Sequence, residues 1–559
     1  MKNSIFTKLA IVFLVISNIS AQEALKSTEE DYYDFLALQG ITERPTLNYR
    51  TLSDSQWNLS QETNHVWSDN NLGTTFTLWQ KENPGENWFL KGINQNLLMK
   101  VYGPKWFNSF NTASPYGQND GALWQGKGYN TSLSAGIRFE FYGIEATIKP
   151  NLNFSQNLGF ELMTSNYDSE FGYIWGYAKN KGIDKPQRFG DKPFWTFDLG
   201  DTEIRYSWKN FTIGFGNQSI WLGPAYINPI LHSNNAASYP KLDLGLRKTT
   251  IKIPGLNWNI GDIETRIWTG YLSESQYFDN DESNNHNMIH GFTFAYSPSF
   301  VKGLTLFANR IALVKWKWEN LKYILPLNQN THIGETDAGE DQKMSFGFNW
   351  AFPQVGFELY TEIGLDDFVP DGFPQGYIRY PLHTLAYTAG LKKTFNINKE
   401  KQIFGELHLE INNSEMSQDF QFQWPYNFGF HHQITQGYTN KGQLLGTGYG
   451  YGGNMQYLDF SVLYPKGKST FTIARWNPDN NYLYSKAINA KANEDELEDK
   501  YFTAFKANFI TGFSTLYYIT KDFNINGSVL YNLIINNHYE NDSNETHNIY
   551  LSLGIEYNI

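Results

Sequence analysis

Much of the chain alternates apolar and polar side chains with a period of two, the spacing that puts neighbouring residues on opposite faces of an extended strand. The stretch HNIYLSLGIEYNI places Ile549, Leu551, Leu553, Ile555, Tyr557 and Ile559 on one face, against Asn548, Ser552, Glu556 and Asn558. FNINGSVLYNLII sets Phe523, Ile525, Val529, Tyr531 and Leu533 against Asn524, Asn526, Ser528 and Asn532. The same period appears in IRFEFYGIEATIKP, with a Tyr142-Gly143 turn in its middle, and in GDIETRIWTGY, GFELYTEIG and IFGELHLEIN. In these stretches Glu264, Arg266, Glu358, Glu362, Glu406 and Glu410 share the polar face, opposite branched or aromatic residues.

Charges on one face and apolar groups on the other, strand after strand, fit a polar lumen and a lipid-facing wall. A soluble β-sandwich alternates in the same way, but a chain this long would need several such domains, and no linker or shift in composition divides it. The expected fold is therefore all-β: a transmembrane antiparallel outer-membrane β-barrel of about 18 strands, an even number.

Two segments depart from the period. Ser27-Thr28-Glu29-Glu30 is a capping box, followed by Tyr32, Tyr33, Phe35 and Leu36 at helical spacing and closed by Gly40. Ser53-Asp54-Ser55-Gln56 repeats the cap signature. Residues 22–65 are accordingly expected to form a small helical segment on the periplasmic side, with the barrel over 66–559. The charged run NAKANEDELEDK, residues 489–500, reads as a solvated surface helix or loop. Before all of this, Met1 to Ala21 joins two lysines, the apolar run Leu9 to Ile16 and the small residues Ser20 and Ala21, the pattern of a secretory signal peptide over 1–21.

Composition sharpens the picture. The 36 Tyr, 41 Phe and 17 Trp make the chain 17% aromatic at a low mean hydropathy, a combination that aromatic girdles and a polar interior together require. The absence of cysteine excludes disulfides, thiolate metal sites and a lipid-anchored N-terminus. A net charge of −12 offers no basic field for nucleic acid. His431 and His432 are adjacent, but no HExxH or clustered carboxylate loop accompanies them, so no metal site and no cofactor is expected. Stray calcium at acidic outer loops is the alternative left open.

Several strings stand out from the strand pattern: YGQNDGALWQGKG (116–128), KPQRFG (185–190), GDTEIRYSW (200–208), WLGPAYINPILHSNNAASYPKL (221–242), a run from Asp341 to Asp367, and HHQITQGYTNKGQLLGTGYG (431–450). In this order they resemble the Wzi family of capsule-assembly outer-membrane proteins in its Bacteroidetes-type form, most closely at NDGALWQGKG and WLGP…LHSNNA. YDFLALQGITERPTLNYR also resembles that family's helical start. The chain departs from the family pattern at Leu222, where a second Trp is expected, and at Lys127, where Arg is expected. Leu222 trims an aromatic surface, and Lys127 keeps the charge without the planar fork. The resemblance implies a barrel with periplasmic helices that acts as a lectin-like factor, binding surface (capsular) polysaccharide and taking part in its assembly or attachment. Outer-membrane lipid and the barrel-assembly machinery are the further partners expected of such a barrel.

Sugar recognition needs aromatic faces for pyranose C–H surfaces and fixed polar groups for hydroxyls. Trp124, Trp221 and Tyr226 are candidates for the faces, and Asn119, Asp120, Arg188, Glu203, Arg205, Asn234 and Asn235 for the polar arms. Competing structural roles exist for each. Glu203, Arg205, Glu264 and Arg266 can pair with one another to fill a lumen, and Asn119-Asp120-Gly121, Asn234 and Asn235 are turn formers. HSNN superficially resembles the His-x-Ser-Asn-Gly string of outer-membrane phospholipases. Here, however, His232 and Ser233 are adjacent and would point to opposite faces of a strand, so no catalytic residue is assigned. A sugar-selective or general porin stays open as the alternative, because the same polar lumen would serve it.

Overall fold

The computed structural model describes residues 20–22, 26–59, 63–70, 72, 79–80, 91, 96–326, 339–367, 374–417, 421, 423–541 and 544–557. Nearly all of the expected signal peptide therefore lies outside the described residues.

One continuous antiparallel sheet starts at Leu98–Asn111 and closes on itself where Glu545–Tyr557 pairs back with that first strand. Two strands are broken in the middle, one into Ile144–Ile148 and Asn151–Ser155, the other into Phe194–Asp198 and Glu203–Trp208. With each counted once, and the two-residue Trp79–Gln80 left aside, the barrel has 18 strands. Closure is what lipid demands, since an open edge would leave backbone groups without partners. Two-residue connections join strands at one end, as between Phe141 and Ile144 and between Tyr464 and Gly467. In the first of these Tyr142 and Gly143 both have positive φ, 48° and 82°, as a tight hairpin turn requires. A Cβ on Gly143 would lie 2.4 Å from the Ser207 carbonyl, so the residue has to be glycine. Long loops occupy the other end, notably 112–127, 156–193, 217–240, 414–453 and 478–506.

The expected register holds. Ile549, Leu551, Leu553 and Tyr557 are exposed on the outside, while Asn548 and Asn524 are fully buried. The wall is thus apolar outward and polar inward, the reverse of a soluble protein, with Arg138, Arg205, Arg266 and Lys343 all at 1% exposure or less.

The N-terminal segment occupies the lumen. Ser27 caps the helix Thr28–Leu38 by accepting from the Glu30 N–H at 3.1 Å, as its sequence predicts, and Gly40 at φ +73° follows the C-cap. Apolar residues of this helix pack on Trp57, Trp67, Leu463 and Tyr518 at the short-turn end, so its polar residues can meet wall charges. Arg44 bridges Asp34 and Glu358, Lys392 reaches Asp34 at 2.6 Å, and Lys468 reaches Asp31 at 2.7 Å. The second cap signature, Ser53 to Gln56, starts no helix. Its Asp54 carboxylate is drawn instead to Arg247 and Arg266, each at 2.6 Å, and Gln56–Asn58 continues as a short strand. Asp54 is one link in a chain of alternating charge across the lumen: Arg138, Glu145, Arg247, Asp54, Arg266, Asp243, Arg205, Glu203.

Candidate functional site

The loop 217–240 folds into the barrel from the opposite end. Its Trp221–Leu222 pairs with Tyr49–Arg50 of the N-terminal segment, so the two intruding segments meet in the lumen. Wall carboxylates hold it there. Glu410 accepts the backbone N–H groups of Tyr226 at 2.6 Å and Asn228 at 2.8 Å, together with the Tyr360 hydroxyl at 2.7 Å. Glu362 accepts from the Ile230 N–H at 3.0 Å. The inward glutamates of Phe357–Asp366 and Ile403–Asn413 are thus satisfied in two ways. Glu358 and Glu406 meet cations, Arg44 and Lys468, whereas Glu362 and Glu410 receive backbone donors that only a folded-in loop can bring.

Above this plug, at the long-loop end, lies a cavity of about 290 Å³. Four of the distinctive strings converge on it. Residues 116–118, Asp120, 123–125, 185–187, 442–444 and Gly448 line it, and Asn235 adds a side chain from the 221–242 string. Backbone contacts fix their mutual position: the Gly121 N–H donates to the Asn234 carbonyl at 2.9 Å, and the Ser233 N–H to the Leu445 carbonyl at 2.8 Å. Asn235 ties the three together, its Oδ1 accepting from the Asn119 N–H at 3.1 Å and its Nδ2 donating to the Leu444 carbonyl at 3.0 Å. Gly448 makes room for it, since a Cβ there would come within 2.6 Å of the Asn235 Oδ1.

The sequence-predicted residues divide by position. Asp120, Trp124 and Asn235 line the cavity, and Asn119 and Asn234 stand directly behind them in the turns just described. Arg188 does not line it; its Nη2 donates to the Asn157 carbonyl at 2.7 Å within the neighbouring loop. Glu203 and Arg205 belong to the lumen charge chain, with Arg205 at 3.0 Å from Glu203 and 2.6 Å from Asp243. Trp221 is fully buried in the plug, under the ammonium of Lys26 at 4.9 Å and the guanidinium of Arg50 at 5.4 Å. Tyr226 stacks with Lys26 at 4.4 Å in the same interior.

The cavity's aromatic faces come from Trp124, Trp476, Tyr173 and Tyr539. Polar atoms at and just behind the lining lack partners: Trp124 Nε1, Asn119 Oδ1 and Asn234 Oδ1 are buried and have no hydrogen-bond partner among the described residues. Asp120 accepts from the Gln125 Nε2 at 2.6 Å, and burial pushes its carboxyl up to about 7. Lys185, Lys506 and Trp476 line the same space, and the motif-based choice missed them. Lys185 stood in a noted string where Arg188 was preferred, while Lys506 and Trp476 carried no distinguishing signal.

His232 and Ser233 make no nucleophile–base pair. The His232 Nε2 faces the Tyr239 hydroxyl at 2.7 Å and its Nδ1 faces the Ile220 carbonyl at 3.1 Å, while the Ser233 Oγ donates to the Gly446 carbonyl at 2.5 Å. Burial pushes the imidazole down to about 4, which keeps it neutral.

The family model for the capsule assembly protein Wzi matches residues 109–473. Among solved structures, the chain is similar to Wzi of Escherichia coli, an outer membrane protein involved in group 1 capsule assembly and a carbohydrate-binding β-barrel. That likeness has 14% identity, covers 97% of this chain and 100% of the other, and has a TM-score of 0.54. Pseudomonas aeruginosa OccK8 (OprE) matches with 9% identity over 83% of this chain and 98% of its own, at a TM-score of 0.37. Pseudomonas putida OprB does so with 10% identity over 82% and 94%, at 0.35. No curated protein sequence matches the chain.

Proposed function

The chain belongs to the Wzi family of capsule assembly proteins, and from that premise we propose that this outer-membrane barrel binds surface polysaccharide in the cavity at its long-loop end and takes part in capsule assembly or attachment. The observation that carries this reading is the cavity itself: about 290 Å³, large enough for a sugar residue, with aromatic faces beside polar groups that have no protein partner. Trp124 and Asn234 are its proposed stacking face and hydroxyl-reading group. Arg188, Glu203, Arg205, Trp221 and Tyr226 serve in this reading to hold the cavity's floor and walls.

The reading is of a binding protein and not an enzyme, supported by the engagement of His232 and Ser233 with other partners. It also favours binding over passage. Residues 26–59 and 217–240 enter the lumen from both ends and meet in its middle, which counts against the wide channel of a porin. In this reading residues 1–21 are removed on export, and lipid and the barrel-assembly machinery are the barrel's partners during its insertion.

Binding of the folded protein to purified surface polysaccharide, compared with Trp124→Ala, tests the proposal. Folding is read independently by heat-modifiable gel migration. Loss of one stacking face is expected to weaken binding by about 1–3 kcal/mol, roughly 5- to 150-fold. Binding that is unchanged in a folded Trp124→Ala protein would remove the cavity from consideration. Porin-like conductance steps in a planar bilayer would favour the alternative.

A further inference from the structure

Two lysines enter the outer cavity, Lys185 from the 156–193 loop and Lys506 from the end of the 478–506 loop. Both are half-buried, and among the described residues neither ammonium has a carboxylate within 4.0 Å. The lumen cations Arg138, Arg205, Arg266 and Lys343 are each paired with acids, and Arg188, Lys241 and Arg310 donate to carbonyl or amide oxygens, whereas among the described residues the two cavity ammonium groups have neither kind of partner. Lys185 lies over the Tyr173 ring at 5.0 Å. The carboxylate it faces, Asp479, is already engaged by the Tyr173 hydroxyl and the Trp175 Nε1, both at 2.7 Å. Burial and the neighbouring Lys185 charge together push the Lys506 ammonium down to about 8, so the two cations sense each other across the cavity.

The cavity's own acids do not offset this charge. Glu161 is exposed at the rim, and Asp120 is half-buried against Gln125, where desolvation pushes its carboxyl up to about 7. Two like charges in a partly desolvated space are a standing repulsion that a bound anion would relieve. The same space holds flat aromatic faces for a sugar ring. We propose that the outer cavity selects an anionic sugar residue, whose carboxylate or phosphate substituent is held by Lys185 and Lys506 while its ring lies against Trp124. Lysine, a compact point charge, fits either substituent, so the chemistry named is the negative charge on the sugar. This inference rests on the reading of the cavity as the glycan site.

The test uses the detergent-solubilised full chain and three probes: tetragalacturonate, its carboxyl-reduced neutral counterpart, and a tetrasaccharide bearing a phosphomonoester. Charged probes are expected to bind about tenfold or more tighter than the reduced one, as charge-assisted contacts imply. Lys185→Gln with Lys506→Gln should remove that preference. Lys506→Arg, which keeps the charge, should retain it. Should the double variant fail to fold by gel migration, salt does the same work on the unmodified protein. Raising ionic strength should weaken only the charged probes. The two charged arms show which substituent is preferred. Equal binding of charged and reduced probes, insensitive to salt and to the lysines, would overturn the charge selectivity and leave the glycan site standing. A protein that binds none of the three would overturn both.

Discussion

The inner and outer parts of the lumen use the same residue types and reach opposite states. In the inner part, arginines and acids alternate from Arg138 to Glu203 until each has a partner, and the N-terminal segment supplies Asp54 as the link between two wall arginines. In the outer cavity, Lys185 and Lys506 have no carboxylate within 4.0 Å among the described residues, and Asp120 is pushed toward neutrality. Paired charges hold a shape, whereas unpaired ones are ready for a ligand. The difference teaches that a polar lumen residue is informative about binding only once its partners are known.

The sharpest way to break the comparison is to remove a cation from each region. Arg266→Ala leaves Asp243 and Asp54 each short of a buried partner. It should lower stability by about 3–5 kcal/mol, seen as a fall in the temperature at which the heat-modifiable band converts. Lys506→Gln should shift that temperature little, because no ion pair is lost. Equal losses would mean that the outer lysine is structural as well.

The loop that separates the two regions comes next. Glu410→Ala removes the acceptor of the Tyr226 and Asn228 N–H groups and of the Tyr360 hydroxyl. Each buried donor left without an acceptor is expected to cost about 1–3 kcal/mol, and limited proteolysis should cut within 217–240 in the variant but not in the parent.

A finer split lies inside one dipeptide. Asn235→Ala removes the links to Asn119 and Leu444, so it should loosen the outer loops, by about 1 kcal/mol per lost bond. Asn234→Ala loses only a side chain whose Oδ1 has no protein partner. It should leave folding intact and weaken polysaccharide binding by about 1 kcal/mol, roughly fivefold. If Asn234→Ala also unfolds the loops, the division between scaffold and reader fails.

The smallest expected effect is in pH dependence, where the two regions should tilt in opposite directions. Asp120, raised to about 7 by burial, stabilises the outer loops while it is protonated. That contribution is complete below its unfolded value of about 4 and is lost as pH rises through about 7. His232, pushed down to about 4, stabilises the inward loop while neutral. Its contribution is complete above about 6.5 and is lost as pH falls toward 4. Protease sensitivity of the outer loops should therefore rise between pH 5 and 8, and Asp120→Asn should flatten that slope.

Much of the wall is legible in the sequence. The period-two pattern identified which residues of strands such as Glu545–Tyr557 and Phe357–Asp366 face lipid, because that alternation is a local property of an extended backbone. The candidate site was legible only as a set of strings. The sequence marked 116–128, 185–190, 221–242 and 431–450 as unusual but could not say that they meet, since their contacts span hundreds of residues. Trp221 and Tyr226 had the chemistry of a stacking face and lie buried in the plug, because Glu410 and Tyr49–Arg50 draw their loop inward.

What the sequence by itself determined, then, is what short-range physics decides: a lipid face and a polar face on each strand, a capped helix at Thr28–Leu38, and turns at Tyr142-Gly143 and Asn119-Asp120-Gly121. Only the tertiary structure decided which inward polar groups would neutralise one another and which would stay free. Pairing depends on distance in space, and Asp54 reaches Arg266 across 212 residues of chain, while Lys185 and Lys506, both at the cavity, have no carboxylate within 4.0 Å among the described residues. The alternation along a strand cannot encode that choice, because every inward position satisfies it equally.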